Sequence, residues 1–195
     1  MKRVALLAVL MVATRAAAQE PRLERVDPAA RAPVAALLDS ARATGLSTEP
    51  LIQRALEGTT KGAPADRVIA AVRRLVADLG RAREALGPSA APPEIEAGAA
   101  ALRAGAPPSV LTQLRVARRP PLTMALAVLA DLVASGVPAD RAAAAVLTLA
   151  STARDADLLE FRRAVERDIA LGAPPAAATA VRLDASARAA RPGRP

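Results

Sequence analysis

The sequence predicts an all-α protein: an array or an irregular bundle of antiparallel helical hairpins, with about eight or nine helices and a solenoid among the options. The chain is 52% hydrophobic yet holds one Phe, no Trp and no Tyr. Much of its apolar content is alanine, the strongest helix former, whereas the β-branched and aromatic residues that strands favour are few. A turn signal, Gly followed by a small or apolar residue and then Pro or Ser, recurs along the chain.

The N-terminus has the pattern of a cleavable secretory signal peptide, predicted over residues 1–18. Lys2 and Arg3 supply the positive charge, 4–12 is an uncharged apolar run, and three alanines ending at Ala18 precede Gln19. Small residues at this distance from an apolar run are what a signal peptidase accepts. We therefore expect cleavage near Ala18–Gln19 and a periplasmic or secreted product.

A membrane anchor is the alternative interpretation of this N-terminus. A spanning helix needs about 20 apolar residues, and Arg15 interrupts the run too early. The most apolar later stretch, 122–134, is short and contains Asp131. The chain has no Cys, which excludes a lipid-anchored Cys and disulfides. The sequence thus predicts that the protein is not an integral membrane protein.

The formal net charge is +8, and loss of Lys2, Arg3 and Arg15 with the signal would lower it to +5. Apart from Lys2 and Lys61, every basic residue is Arg. Two explanations remain open. One is composition drift in a GC-rich genome, and the other is attraction to anionic lipid, polysaccharide or nucleic acid.

The remaining chain reads as one domain. Residues 19–30 form a polar lead-in, 31–188 form a single helical domain, and 189–195 form a disordered tail rich in Arg, Ala, Pro and Gly. The segment 88–93 (Pro-Ser-Ala-Ala-Pro-Pro) is a candidate internal linker.

The turn signal divides this domain into segments of helical length. Its copies begin at Gly45, Gly62, Gly105, Gly136 and Gly172. Gly adopts the left-handed conformation that ends one helix, and Pro is tolerated where the next begins. The predicted helices are 31–44, 48–61, 64–80, 93–104, 107–118, 121–135, 138–153, 156–171 and 174–188.

Short turns make neighbouring helices antiparallel, which predicts hairpins centred on the last four of these glycines. Their spacings of 43, 31 and 36 residues are irregular but fall in the range of helical repeats. The copies share little sequence, so an open array and a closed bundle both remain possible at this stage.

Two regions have informative periodicity. In 64–80, Val68, Val72 and Leu75 fall on one face, with Gly80 expected to end or bend the helix. The hairpin 121–135 and 138–153 is apolar nearly all round, which predicts that it lies at the core. Gly58, inside a predicted helix, indicates a close approach by a neighbouring helix, because an interior Gly otherwise costs about 1 kcal/mol.

The sequence contains neither His nor Cys. This excludes Ser–His and Cys–His nucleophiles, thiol chemistry and the usual zinc sites. No Gly-rich phosphate loop or calcium loop occurs. We therefore predict no catalytic residue, no cofactor site and no metal site.

The acidic residues fit ordinary helix positions. Asp66 and Asp140 lie in first turns, and Glu94 and Glu96 lie at a helix start, where acids oppose the positive helix end. Asp155, Asp157 and Glu160 read as solvated or end-capping acids. A carboxylate-based enzyme assembled from distant residues remains the least favoured alternative.

Two groups of arginines are the candidate interaction surface. Arg67, Arg74 and Arg81 recur every seven residues opposite the apolar face of one helix. Arg115, Arg118 and Arg119 cluster at a helix end, where cations also interact favourably with the helix dipole. Arg binds phosphate and carboxylate groups through a two-pronged guanidinium.

These observations favour a non-catalytic protein of the cell envelope that binds another envelope protein as an adaptor, interaction or structural module. The alternative is docking to anionic lipid or polysaccharide through the arginines. Nucleic acid is not an expected partner, because aromatic stacking residues and groove-reading motifs are missing.

Overall fold

The computed structural model describes residues 21–189, and every regular element in this range is an α-helix. Residues 21–23 are helical, and nine helices have both ends within the range. They are α1 (Pro28–Ala43), α2 (Glu49–Thr60), α3 (Ala65–Leu86), α4 (Pro92–Ala104), α5 (Pro108–Ala117), α6 (Thr123–Ala134), α7 (Ala139–Ala150), α8 (Asp155–Ala170) and α9 (Pro175–Ala189). The all-α prediction is confirmed, with a number of helices close to that expected.

The helix ends agree with the predicted ranges to within three residues, except at the end of α3. Gly80 does not end this helix, which continues to Leu86 and stops at Gly87, where φ is +85°. The prediction that Gly80 ends the helix is therefore wrong. A helical Gly costs only about 1 kcal/mol, and burial of Leu79 and Ala82 on either side of it offsets that cost.

The recurring turn has one hydrogen-bond pattern at all five positions. At Gly105, φ is +115°, the Gly105 N–H donates to Leu102 O at 3.1 Å, and the Ala106 N–H donates to Ala101 O at 3.0 Å. This is a Schellman motif, which satisfies carbonyls at a helix end. The same pair of bonds occurs at Gly45, Gly62, Gly136 and Gly172. The predicted role of these glycines is confirmed.

Within residues 21–189, the chain divides into two compact units, with the boundary between Ala77 and Asp78 inside α3. In the first unit α1 packs on α2. Added to Gly58 of α2, a Cβ atom would lie 2.9 Å from Cγ2 of the buried Val68 of α3. The close approach predicted at Gly58 is present, and Val68 of the following helix causes it.

The lead-in of the first unit is held to its helices. The Arg22 guanidinium binds the Glu49 carboxylate at 2.8–2.9 Å, and the Asp27 N–H donates to Thr59 Oγ1 at 3.2 Å. Helix α1 begins at Pro28, three residues before the predicted start, because the Asp27 side chain accepts the Ala29 N–H at 2.8 Å and caps it.

In the second unit, alternate helices pack on one another. Helix α4 packs on α6 and α6 on α8, while α5 packs on α7 and α7 on α9. The hairpin of α6 and α7 lies at the centre, with fully buried side chains that include Leu126, Leu129, Leu132 and Val146. The nearly continuous apolar pattern of this hairpin predicted its central position.

Two predictions concern residues outside the described range. The signal peptide of 1–18 lies wholly outside it, and so do residues 190–195 of the predicted tail. Among the helices of 21–189, none combines the length and the apolar character needed to cross a membrane.

Candidate interaction surface

The arginines of α3 differ in how they are engaged. Arg67 and Arg74 are exposed and form no ion pair with any residue of 21–189. Arg81 is also exposed, but its Nη2 donates to the buried Asp78 carboxylate at 2.6 Å. Of the three candidates, Arg67 and Arg74 keep their guanidinium groups available, and Arg81 shares its own with Asp78.

Most other cations of the first unit are paired with nearby acids. Arg22 holds the pKa of the Glu49 carboxyl below its ordinary value through their hydrogen bond. Lys61 does the same for the pKa of Glu57, at a nitrogen–oxygen distance of 2.6 Å. Within 21–77, the arginines that form no ion pair are Arg25, Arg31 and three residues of α3, namely Arg67, Arg73 and Arg74. Arg31 donates to the carbonyls of Glu24 and Val26, and the other four are exposed.

In the arginine cluster at the end of α5, Arg118 connects neighbouring helices. Arg118 Nη1 donates to the carbonyls of Ala153 at 2.5 Å and Ala150 at 3.4 Å, and its Nη2 binds the Asp155 carboxylate. The Arg118 side chain is only 16% exposed. Arg118 thus joins the C-terminal end of α7, where a cation is favourable, to the Asp155 carboxylate at the start of α8.

Arg115 has a related but weaker contact. Its Nη1 donates to the Leu86 carbonyl, at the C-terminal end of α3, over 3.4 Å. Arg119 is exposed and makes no hydrogen bond with residues 21–189. The three arginines that are adjacent in sequence therefore have three environments, and Arg119 alone combines exposure with an unengaged guanidinium.

Glu94 has a role that its position in the sequence did not reveal. The residue is 4% exposed, its Oε2 accepts the Ala91 N–H at 2.9 Å, and its Oε1 accepts the Leu122 N–H at 2.7 Å. The bond to Ala91 satisfies the N–H of the residue that precedes α4, which is the half of a capping box that a Glu in the first turn supplies. The bond to Leu122 joins the start of α4 to the start of α6. Glu96, in contrast, is exposed.

Two further ion pairs join helices of the second unit, and no local sequence pattern indicates either of them. Asp131 of α6 binds Arg162 of α8, and Asp168 of α8 binds Arg182 of α9 through two bonds of 2.6 and 2.7 Å. The Arg182 guanidinium lowers the pKa of the Asp168 carboxyl. These arginines stabilise helix contacts and leave their carboxylate partners neutralised.

The other acids considered as candidates lie at the surface or in local contacts. Asp66, Asp140 and Glu160 are exposed. Asp157 accepts the Arg154 N–H at 2.9 Å, and the Arg154 side chain lowers its pKa. Within 21–189, no three acidic side chains come together in a way that could hold a metal ion.

Comparison of the chain with protein-family models, with curated proteins and with solved structures finds no match.

Proposed function

We propose that this protein is an exported, non-catalytic helical module that binds another protein of the cell envelope. The observation that carries the proposal is the order of the helix contacts in the second unit. Every extensive contact there joins helices no more than two positions apart along the chain. In a repeat array each hairpin packs only on its neighbours, whereas a closed bundle brings the first and last helices together.

This order favours an open array in which α4, α6 and α8 pack in succession, as do α5, α7 and α9. Such an array has two rows of helices and an extended outer surface, which is the form that helical repeat proteins use for binding. In this proposal the outer surface of the array contacts the partner protein, and the array has no catalytic role.

The buried carboxylates support a structural rather than a catalytic assignment. The carboxylate of Glu94 accepts two backbone N–H groups, and that of Asp78 accepts Arg81. A catalytic acid or base needs a carboxyl group that faces substrate with a shifted pKa. Both buried acids instead have bonding partners inside the fold.

Export is the part of the proposal that rests on residues 1–18. The charged start, the apolar run and the alanines before Gln19 support it. Expression of the full chain, followed by cell fractionation and N-terminal sequencing, tests this step. We expect a product beginning at Gln19 outside the cytoplasm, and an uncleaved cytoplasmic product would contradict it.

Binding is tested by affinity capture of the mature protein from an envelope extract, with reciprocal capture by the protein that it retains. We expect one saturable protein partner that stays bound at moderate salt. Retention of anionic lipid or polysaccharide alone, lost as salt rises, would favour the alternative envelope-surface function. Retention of nothing would overturn the proposal.

A further inference from the structure

We infer that Arg67 and Arg74 of α3 form a docking row for an acidic helical segment of the partner protein. This inference rests on the proposed function, because it names the chemistry of the partner and the part of the first unit that contacts it.

The geometry of the row comes from the helix itself. Seven residues advance about 10.5 Å along an α-helix and return to within about 20° of the same direction. Arg67 and Arg74 are both exposed, and the buried Val68 and Val72 hold the opposite side of α3 in the first unit. The two guanidinium groups therefore project from one face, about two turns apart.

The residues that lie between the two arginines on their shared face are small. At about 100° per residue, Ala70 and Ala71 fall on this face, and both are partly exposed. Alanine side chains let a second helix approach closely, while the longer arginines can reach to either side of it. A partner helix with carboxylates one heptad apart would place an acid opposite each guanidinium, where Arg forms two-pronged bonds.

Charge supports the row as the anion-binding part of this unit. Arg22, Arg54 and Lys61 already bind carboxylates of the same unit, but Arg67 and Arg74 bind none among residues 21–189. The neighbouring Arg73 is also exposed and without an ion pair, so it adds positive charge beside the row, while Arg25 lies outside α3. An acidic partner would supply the missing counter-charges without breaking an internal pair.

A lipid surface fits this row less well than a protein segment does. Recognition of anionic membranes uses clusters of about four to eight basic residues, and an interfacial helix adds large apolar side chains. The large hydrophobic residues exposed within 21–189 are Val116, Leu171 and Val181, and all three lie in the second unit.

The test is an NMR titration of the full mature protein, following the side-chain Nε–H signals of its arginines. The probe is a helical alanine-based peptide of three heptads with Glu at one heptad position, and its matched control has the same composition with the Glu residues spread around the helix. We expect the heptad peptide to shift the Arg67 and Arg74 signals and to bind more tightly than the control.

A double substitution distinguishes specific binding at Arg67 and Arg74 from general attraction between a basic protein and an acidic peptide. The double variant Arg67→Gln/Arg74→Gln should weaken peptide binding about threefold to tenfold, as expected for loss of two exposed ion pairs. The matched variant Arg163→Gln/Arg167→Gln removes two exposed arginines from α8 and should leave binding unchanged. Equal binding of both peptides, equal losses in both variants, or no shift of Arg67 and Arg74 would each overturn the inference.

A parallel arm uses vesicles of phosphatidylglycerol and phosphatidylcholine. Vesicle binding that requires Arg67 and Arg74, with no preference between the peptides, would assign the row to lipid and overturn the inference. If the captured envelope partner still binds Arg67→Gln/Arg74→Gln with full affinity, the proposed function stands and this inference fails. If no envelope partner exists, the proposed function itself fails.

Discussion

Glu94 accepts a hydrogen bond from the backbone N–H of Leu122 at 2.7 Å, across 28 residues of sequence. The carboxylate is buried, and its second oxygen accepts the N–H of Ala91 at the start of its own helix. One side chain thereby satisfies backbone donors at the starts of both α4 and α6, which are packed together.

Replacement of Glu94 by Ala should lower the free energy of unfolding by about 1–3 kcal/mol, because the buried Leu122 N–H loses its acceptor. The measurement is urea denaturation followed by far-UV circular dichroism. Glu96→Ala is the matched control, two residues away and exposed, with an expected change within about 0.5 kcal/mol. Equal stability of the two variants would show that the buried bond contributes nothing.

Arg118→Ala should destabilise the protein by about 2–3 kcal/mol, because Asp155 and the carbonyls of Ala150 and Ala153 lose a charged donor. Arg118→Lys should recover little of this loss, since an ammonium group lacks the planar fork of Arg. The neighbouring Arg119→Ala should change stability by less than about 0.5 kcal/mol. Thermal and urea denaturation of the three variants measure these differences, and a stability of Arg118→Ala equal to that of Arg119→Ala would contradict the bracing role.

Gly58 and Gly80, which both lie inside helices, should respond oppositely to larger side chains. Gly58→Leu forces atoms into the space of Val68 and should destabilise by about 1–3 kcal/mol. Within 21–189, no atom lies within 4 Å of a Cβ added at Gly80. Gly80→Ala should therefore stabilise by up to about 1 kcal/mol through helix propensity. The melting temperature measures both changes, and an unchanged value for Gly58→Leu would argue against tight packing of α2 on α3.

The ion pair of Asp168 and Arg182 should make stability depend on pH in the acid range. Arg182 lowers the pKa of Asp168 in the folded protein, so the pair stabilises the fold above the unfolded pKa of about 3.9. That contribution is lost as pH falls from there through the lower, folded pKa.

The check is urea denaturation at a series of acid pH values for the unaltered protein and for Arg182→Gln. The difference in free energy of unfolding between the two should be constant near neutral pH and shrink as Asp168 becomes protonated. A difference that stays the same through the acid range would show that the pair is not linked to proton binding.

The positions of the helices could be predicted because their signals are local. A Gly at the end of most of the helices, a Pro near the start of the helix that follows such a Gly and a repeating apolar pattern all act within a few residues. The error at Gly80 arose because the Gly outweighed the apolar pattern around it in the prediction. The helical spacing of Leu75, Leu79, Ala82 and Leu86 continues past Gly80, and the burial of these residues carries α3 onward to Gly87.

The roles of the charged residues could not be predicted in the same way. The acidic partner of Arg118 lies 37 residues away along the chain, and that of Arg162 lies 31 residues away. Arg115, Arg118 and Arg119 look alike in sequence, but the carbonyl ends of two different helices engage the first two. Composition and periodicity contain no information about such distant partners.

The sequence alone therefore determined the all-α class, the glycine turns that end most of the helices and the absence of His and Cys side chains, and its residues 1–18 have a pattern that predicts export. These properties depend on single residues and on neighbours within one or two helical turns. The tertiary structure decided which helices pack together, which acids are buried and which arginines remain available. It decided them because burial and ion pairing depend on groups that only the folded chain brings together.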